Sequence, residues 1–234
     1  MSQNPFRYFK TSPEIIQLAV MMYIRFPLSL RNVEDLLHER RIDICHETVR
    51  HWVGRFGTQF AHKSLKRRSE RMGQSPQWQL RLDEVSLKIR GKTHYLWRAV
   101  DHEGEVLKSF VSKTRDKASA LKFMRRAMKR YGNLQIVVPD KLRSYGAAMD
   151  EVGTAHRLET GRHFSNRAEN SHLPFRRRER AMSRLRRMRS LEKFASIHSS
   201  VCNHFNHQRN VENRARFKSL RDPALIEWRE LIAA

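Results

Sequence analysis

Three stretches of the chain carry different hydrophobic periods. Over residues 12–60 apolar positions recur at helical spacing, which predicts three helices. Ile15, Leu18, Ala19, Met22 and Phe26 mark the first, with Ser12 as its cap, Pro13 at its first position and Glu14 in its first turn. Pro27 breaks the run, and Ser29 caps a second helix carrying Leu30, Val33, Leu36 and Leu37. After a short turn from Arg41 to Cys45, a third helix places Val49, Trp52, Val53, Phe56 and Phe60 on one face. Its other face shows Glu47, Arg50, His51 and Arg55. Two short helices, a tight turn and a helix with a basic outer face suggest a helix-turn-helix domain, residues 1–62. A plain three-helix bundle shares the pattern. Residues 63–76 are polar and basic, then rich in turn formers (Gly73, Ser75, Pro76), and read as a linker.

Beyond residue 77 the period changes to two. Leu80 to Ile89 alternates, with Val85, Leu87 and Ile89 on the face of Asp83. A turn at Gly91-Lys92 leads to a strand from His94 to Asp101, and His102-Glu103-Gly104 turns into a third from Glu105 to Ser112. Lys117 to Tyr131 is an amphipathic helix ended by Gly132-Asn133. A short buried strand (Leu134 to Val138), a helix (Arg143 to Glu151), a strand (Arg157 to Glu159) and a long helix from Arg167 follow. Three strands, helix, strand, helix, strand, helix is the element order of an RNase H-like fold. The predicted class is mixed α/β, with this core over residues 77–210 behind the N-terminal helices. Residues 211–234 carry no assignable role and are set apart as a C-terminal tail.

Charge narrows the function. Lys and Arg number 47 against 24 Asp and Glu, a net +23, and apolar residues make up 39% of 234. A globular chain this basic calls for a polyanionic partner, nucleic acid before an anionic membrane surface. It also favours the helix-turn-helix over a plain bundle. The longest clearly apolar run, Leu18 to Ile24, is far short of the roughly 20 residues of a membrane span. The segment MSQNPFRYFK lacks the apolar region of a signal peptide, and Cys45 and Cys202 suggest no disulfide framework, so a reducing cytoplasmic location is expected. Cys202, His204 and His207 lack the spacing of a zinc site.

The candidate chemistry lies in three carboxylates. Asp83 falls within the first strand of the core, Asp140 directly after the fourth, and Glu169 near the start of the last helix. Neighbouring strands can set the two aspartates side by side, and a helix across that edge can bring Glu169 to them. Phosphoryl transfer needs charge stabilisation on both the attacking and leaving oxygens, which two Mg²⁺ ions about 3.5–4 Å apart provide. Mg²⁺ takes hard oxygen ligands, so a few carboxylates suffice. Glu84, Asp101, Asp116 and Asp150 read instead as ordinary surface acids, Glu84 on the opposite face from Asp83.

These positions sit in recognisable motifs. Leu82-Asp83-Glu84-Val85-Ser86-Leu87-Lys88-Ile89-Arg90-Gly91-Lys92, with Tyr95-Leu96-Trp97-Arg98-Ala99-Val100-Asp101, resembles the first catalytic motif of IS6-family insertion-sequence transposases. Asp140-Lys141 with Ser144-Tyr145-Gly146 resembles the second, and Asn166-Arg167-Ala168-Glu169-Asn170-Ser171-His172 with Arg176 the third. Glu47-Thr48-Val49-Arg50-His51-Trp52-Val53 resembles that family's helix-turn-helix. The resemblance runs over residues 5–207. One departure is the interval from Asp140 to Glu169, 169 − 140 = 29 positions, shorter than in many relatives. The shortfall lies in Asp150 to Phe164, where a shorter loop is tolerated. Glu159 and Glu179 are other acids nearby, but neither sits in the matching motif.

The resemblance implies an RNase H-like DDE enzyme with Asp83, Asp140 and Glu169 holding two Mg²⁺ (or Mn²⁺) ions. Its partner would be double-stranded DNA, both the terminal inverted repeats and the target, bound by a homo-oligomer without membrane involvement. Water would nick the strand at the element end, and the freed 3′-hydroxyl would attack target DNA with no covalent protein–DNA intermediate, by a replicative route giving cointegrates. Expected DNA contacts are Arg50, His51 and Arg55 on the third helix, and Lys141, His172, Arg176, Arg177 and Arg178 around the acids. Eight arginines between Arg176 and Lys193 favour a phosphate-binding surface there. The alternative is a DNA-binding remnant without catalysis, which has no need of the acidic triad.

Overall fold

The computed structural model describes residues 5–72, 79–101, 104–131, 135–138, 143–153, 158–160, 165–182, 187–206 and 213–233, with side chains undescribed at 68–80, 130–144, 154–171 and 231–234. The elements are α1 (Pro13–Arg25), α2 (Leu30–His38), α3 (His46–Met72), β1 (Gln79–Ile89), β2 (Lys92–Val100), β3 (Val106–Ser112), α4 (Lys117–Tyr131), β4 (Gln135–Val138), α5 (Arg143–Val152), β5 (Leu158–Thr160), α6 (Ser165–Ala181), α7 (Met188–His204) and α8 (Arg214–Ala233). The chain divides into two compact units: Met1–Arg71 with Arg177–Ser183 and Ser200–Ala234, and Met72–Arg176 with Arg184–Ser199. Among the described residues no helix is long and apolar enough to cross a membrane.

The first unit is helical. Ser12 accepts a hydrogen bond from the Ile15 amide at 3.5 Å. Ser29 and Asn32 close a reciprocal capping box at the start of α2, with amide contacts of 3.0 and 2.9 Å. The core gathers Ile16, Ala19, Val20 and Ile24 from α1, Val33 and Leu37 from α2, and Val49, Trp52, Phe56 and Phe60 from α3. Three expectations change here. The inner face of α1 is turned from the expected one, leaving Leu18 and Phe26 at 38% and 40% exposure. Nearly every position of that helix is apolar, so periodicity does not choose a face. What chooses it is α8: the buried Gln17 amide donates to the Arg229 carbonyl at 3.2 Å. The stretch set apart as a tail is therefore part of the core. Trp228 stacks on Phe60 with ring centroids 4.1 Å apart, His204 Nε2 donates to the Ala224 carbonyl at 2.7 Å, and Arg67 pairs with Glu227 at 3.1 Å. The third change is that α3 runs on to Met72 through most of the expected linker, because Lys, Arg, Gln and Glu are good helix formers and no Gly or Pro interrupts between Gly57 and Gly73.

The second unit is built on a five-stranded sheet of order β3-β2-β1-β4-β5. β1, β2 and β3 form an antiparallel meander, while β4 runs parallel to β1 and β5 parallel to β4. This is the RNase H-like arrangement anticipated from element order. The β1–β2 hairpin closes on Arg90 and Gly91, both with positive φ (50° and 79°), the two-residue turn whose twist suits antiparallel strands. On one sheet face Leu82, Trp97, Ala99 and Phe110 pack with Ala120, Phe123, Met124 and Ala127 of α4 and Tyr145, Ala148 and Met149 of α5. On the other, Arg81, Val85, Leu87, Leu96 and Arg98 are buried around Asp83.

Candidate active site

β1 is the central strand, so an acid on it has covered neighbours on both sides. Asp83 stands directly opposite Arg98 of β2. Its side chain is 14% exposed, and its Oδ2 lies 3.2 Å from Nδ1 of His172 on α6. The carboxylate accepts, so this contact has Nδ1 carrying the proton. It joins the first acidic motif to the helix that bears the third. Glu169 lies in that same helix one turn before His172; its side chain is outside the described residues. β4 pairs with β1 up to Arg81↔Val137, two residues before Asp83 on one strand and three before Asp140 on the other. Asp140 and Lys141 fall outside the described residues, and among those described no group of three metal-ligating side chains occurs. The donor chemistry can still be weighed. The motif acids offer only carboxylate oxygens, and neither cysteine belongs to this unit, which suits a hard cation such as Mg²⁺ and not a thiophilic one. A hydrogen-bonded Asp83 is the usual state of a ligating carboxylate.

The expected DNA contacts fare differently. Arg50, His51 and Arg55 are all exposed on α3. Arg50 pairs with Glu47 at 3.0 Å, and Arg55 lies over the Phe9 ring at 5.4 Å. His46 fixes the first turn of this helix on α2, its Nδ1 2.7 Å from the Glu34 carboxylate. Arg176 is half-buried and Arg177 exposed. Arg178 is corrected: it is 1% exposed, with its guanidinium 4.0 Å above the Tyr23 ring, and presents no charge to a phosphate. Burial pulls its pKa down and Tyr23 opposes that. Phe175 and Arg178 are both buried at a spacing of one helical turn, so the arginine run includes an inward position. His172, expected at DNA, is engaged by Asp83.

Two of the supposed surface acids are interior. Asp101 is fully buried and accepts from the Glu105 amide at 2.8 Å, shaping the turn before β3. Glu84 faces the α4–α5 side and meets the Nε of Arg115. Asp116 caps α4 through the Ser119 amide at 2.8 Å, and Asp150 is exposed. Tyr145, within the second motif, is buried with no hydrogen-bond partner for its hydroxyl among the described residues. Desolvation, then Glu84 and Asp83, raise its pKa well above the usual phenol value. The signal for Glu84 was available: an acid alternating with Asp83 on a strand covered on both faces must find a cation.

A family model described as a DDE domain, of IS240-type transposases, matches residues 77–208. The transposase for insertion sequence-like element IS431mec of Staphylococcus aureus is 33% identical over 174 residues, covering 72% of this chain and 75% of its own. The transposase for insertion sequence element IS257 in transposon Tn4003, also from Staphylococcus aureus, is 33% identical with the same coverage. Among solved structures, the catalytic core domain of BIV integrase aligns with a TM-score of 0.33 at 13% identity, covering 56% of this chain and 84% of that one.

Proposed function

From membership in the IS6 family of insertion-sequence DDE transposases, to which this chain belongs, we propose that it binds the terminal inverted repeats of its element and catalyses metal-dependent nicking and strand transfer. The observation that carries the reading is the Asp83–His172 contact, because it draws the strand of the first motif to the helix of the third. Two divalent ions, when bound, would stabilise charge on the attacking and leaving oxygens of the phosphoryl transfer. Asp83, Asp140 and Glu169 hold them. His172 orients the Asp83 carboxylate by occupying one of its oxygens. The exposed Arg50, His51 and Arg55 on α3 meet the terminal repeat, Lys141 and Arg176 steady phosphates beside the acids, and the exposed Arg177 contacts DNA phosphate. The freed 3′-hydroxyl then attacks target DNA within a homo-oligomer, and replicative joining yields a cointegrate in the bacterial cytoplasm, at the nucleoid.

The test is a labelled duplex carrying the DNA end that flanks the gene, incubated with purified protein in Mg²⁺ and in EDTA. Nicking at the element end in Mg²⁺ alone is the expected result. Binding without nicking in either Mg²⁺ or Mn²⁺ would overturn catalysis and leave the DNA-binding remnant.

The two neighbouring arginines give a separate expectation. Arg177→Ala should lower the slope of log affinity against log salt by about 1, the loss of one phosphate contact. Arg178→Met should leave the slope of the folded protein unchanged. Equal losses in both, measured by salt titration of end binding, would contradict the inward placement of Arg178.

A further inference from the structure

Asp83 and Glu84 leave β1 on opposite faces, Asp83 beside Arg98 and Glu84 beside Trp97. Glu84 thus enters the face where Leu82, Trp97, Phe123 and Tyr145 form the core. Its side chain is 12% exposed, and a carboxylate there is costly unless paired. Its partner is Arg115, in the segment between β3 and α4. That segment is itself pinned, because the next residue, Asp116, caps α4. Tyr145 stands edge-on to Trp97 at 5.5 Å and feels the charge of both Glu84 and Asp83. It lies at position 145 on α5, five residues after Asp140. An ion pair with a largely covered carboxylate (Glu84, 12% exposed) and an exposed guanidinium (Arg115, 39%) therefore sits behind the first aspartate, with the helix that follows the second aspartate packed beside it. An ion pair with one member in solvent adds little net stability; what it offers is a fixed geometry for the covered carboxylate.

We propose that Glu84, through its ion pair with Arg115, is a positioning residue for the metal-holding carboxylates: it fixes β1 where Asp83 leaves the strand and sets the spacing at which divalent ions are bound. This rests on the two-metal reading above. Groups hydrogen-bonded to a metal ligand change metal affinity by about 10–100-fold when removed, and Glu84, acting one step further out through the strand, is expected at the lower end. The test uses the full chain as wild type, Glu84→Gln, and the apolar pair Glu84→Leu with Arg115→Met. Two readouts are taken: Mn²⁺ bound by the free protein, from the loss of the free-ion electron paramagnetic resonance signal, and the Mn²⁺ concentration giving half-maximal nicking. Both should rise about tenfold in apparent constant for Glu84→Gln, with end binding in EDTA unchanged. The apolar pair should melt near the wild-type temperature and still show the weakened Mn²⁺ binding, which a purely structural role would not produce. If Glu84→Gln fails to fold, the apolar pair alone decides. Wild-type Mn²⁺ affinity in a folded variant would overturn the positioning role. A wild-type protein that neither binds Mn²⁺ nor nicks would overturn the two-metal reading itself.

Discussion

Asp83→Asn is expected to lose nicking by about a thousandfold while end binding persists. A bound cation supplies several kcal/mol of transition-state charge stabilisation, and about 4 kcal/mol corresponds to that factor. The substitution isolates charge from shape. Asparagine keeps the volume, and its amide oxygen still accepts from Nδ1 of His172 across the 3.2 Å contact. The strand stays paired with β2 and β4, and the exposed face of α3 is untouched. What is lost is the negative charge proposed to hold a hard cation. Gel assays of nicked product in Mg²⁺, beside binding curves in EDTA, measure the two effects separately. Nicking within tenfold of wild type would mean that Asp83 holds no essential ion.

Trp228→Ala is expected to lower the melting temperature by about 10 °C. Truncating a buried tryptophan costs about 3–5 kcal/mol, and each kcal/mol shifts the midpoint of a chain this size by about 2–4 °C. Trp228 is buried against Phe60 and Phe205, and its helix supplies the carbonyls that satisfy Gln17 and His204. Circular dichroism melts measure the shift. A change below about 2 °C, no larger than a surface substitution gives, would show that α8 does not support the helical unit.

The catalytic sheet was the most legible part of the chain, and the reason is physical. A central meander strand alternates strictly, and short turns fix its register, so β1 to β3 and α4 could be bounded within a residue or two. The position of Asp83 on the face of Val85, Leu87 and Ile89 followed from the same alternation. The helical unit was less legible, because α1 is apolar on nearly all sides and its inner face is set by a helix almost two hundred residues away in sequence. Polarity misled twice. It made residues 63–72 look like a linker although their side chains favour helix, and it merged Arg178 with its outward neighbours. Glu84 was passed over because single acids are usually solvated, whereas both faces of its strand are covered. The motifs containing Asp140 and Glu169 were read from resemblance, and the proposed roles of those two acids rest on it.

The packing of α8 against α1 and α3 also orders events in time. While the protein is being made, α1 to α3 emerge first, yet Gln17 and Phe60 have no partners until α8 follows. Met72 and Arg214 are 214 − 72 = 142 positions apart, about 7–28 s of translation at about 5–20 residues per second. Through that interval the positions of α1 and α3 that α8 covers, Gln17 and Phe60, lack that cover. An incomplete chain released before α8 is thus expected to carry the exposed basic face of α3 on an open helical core.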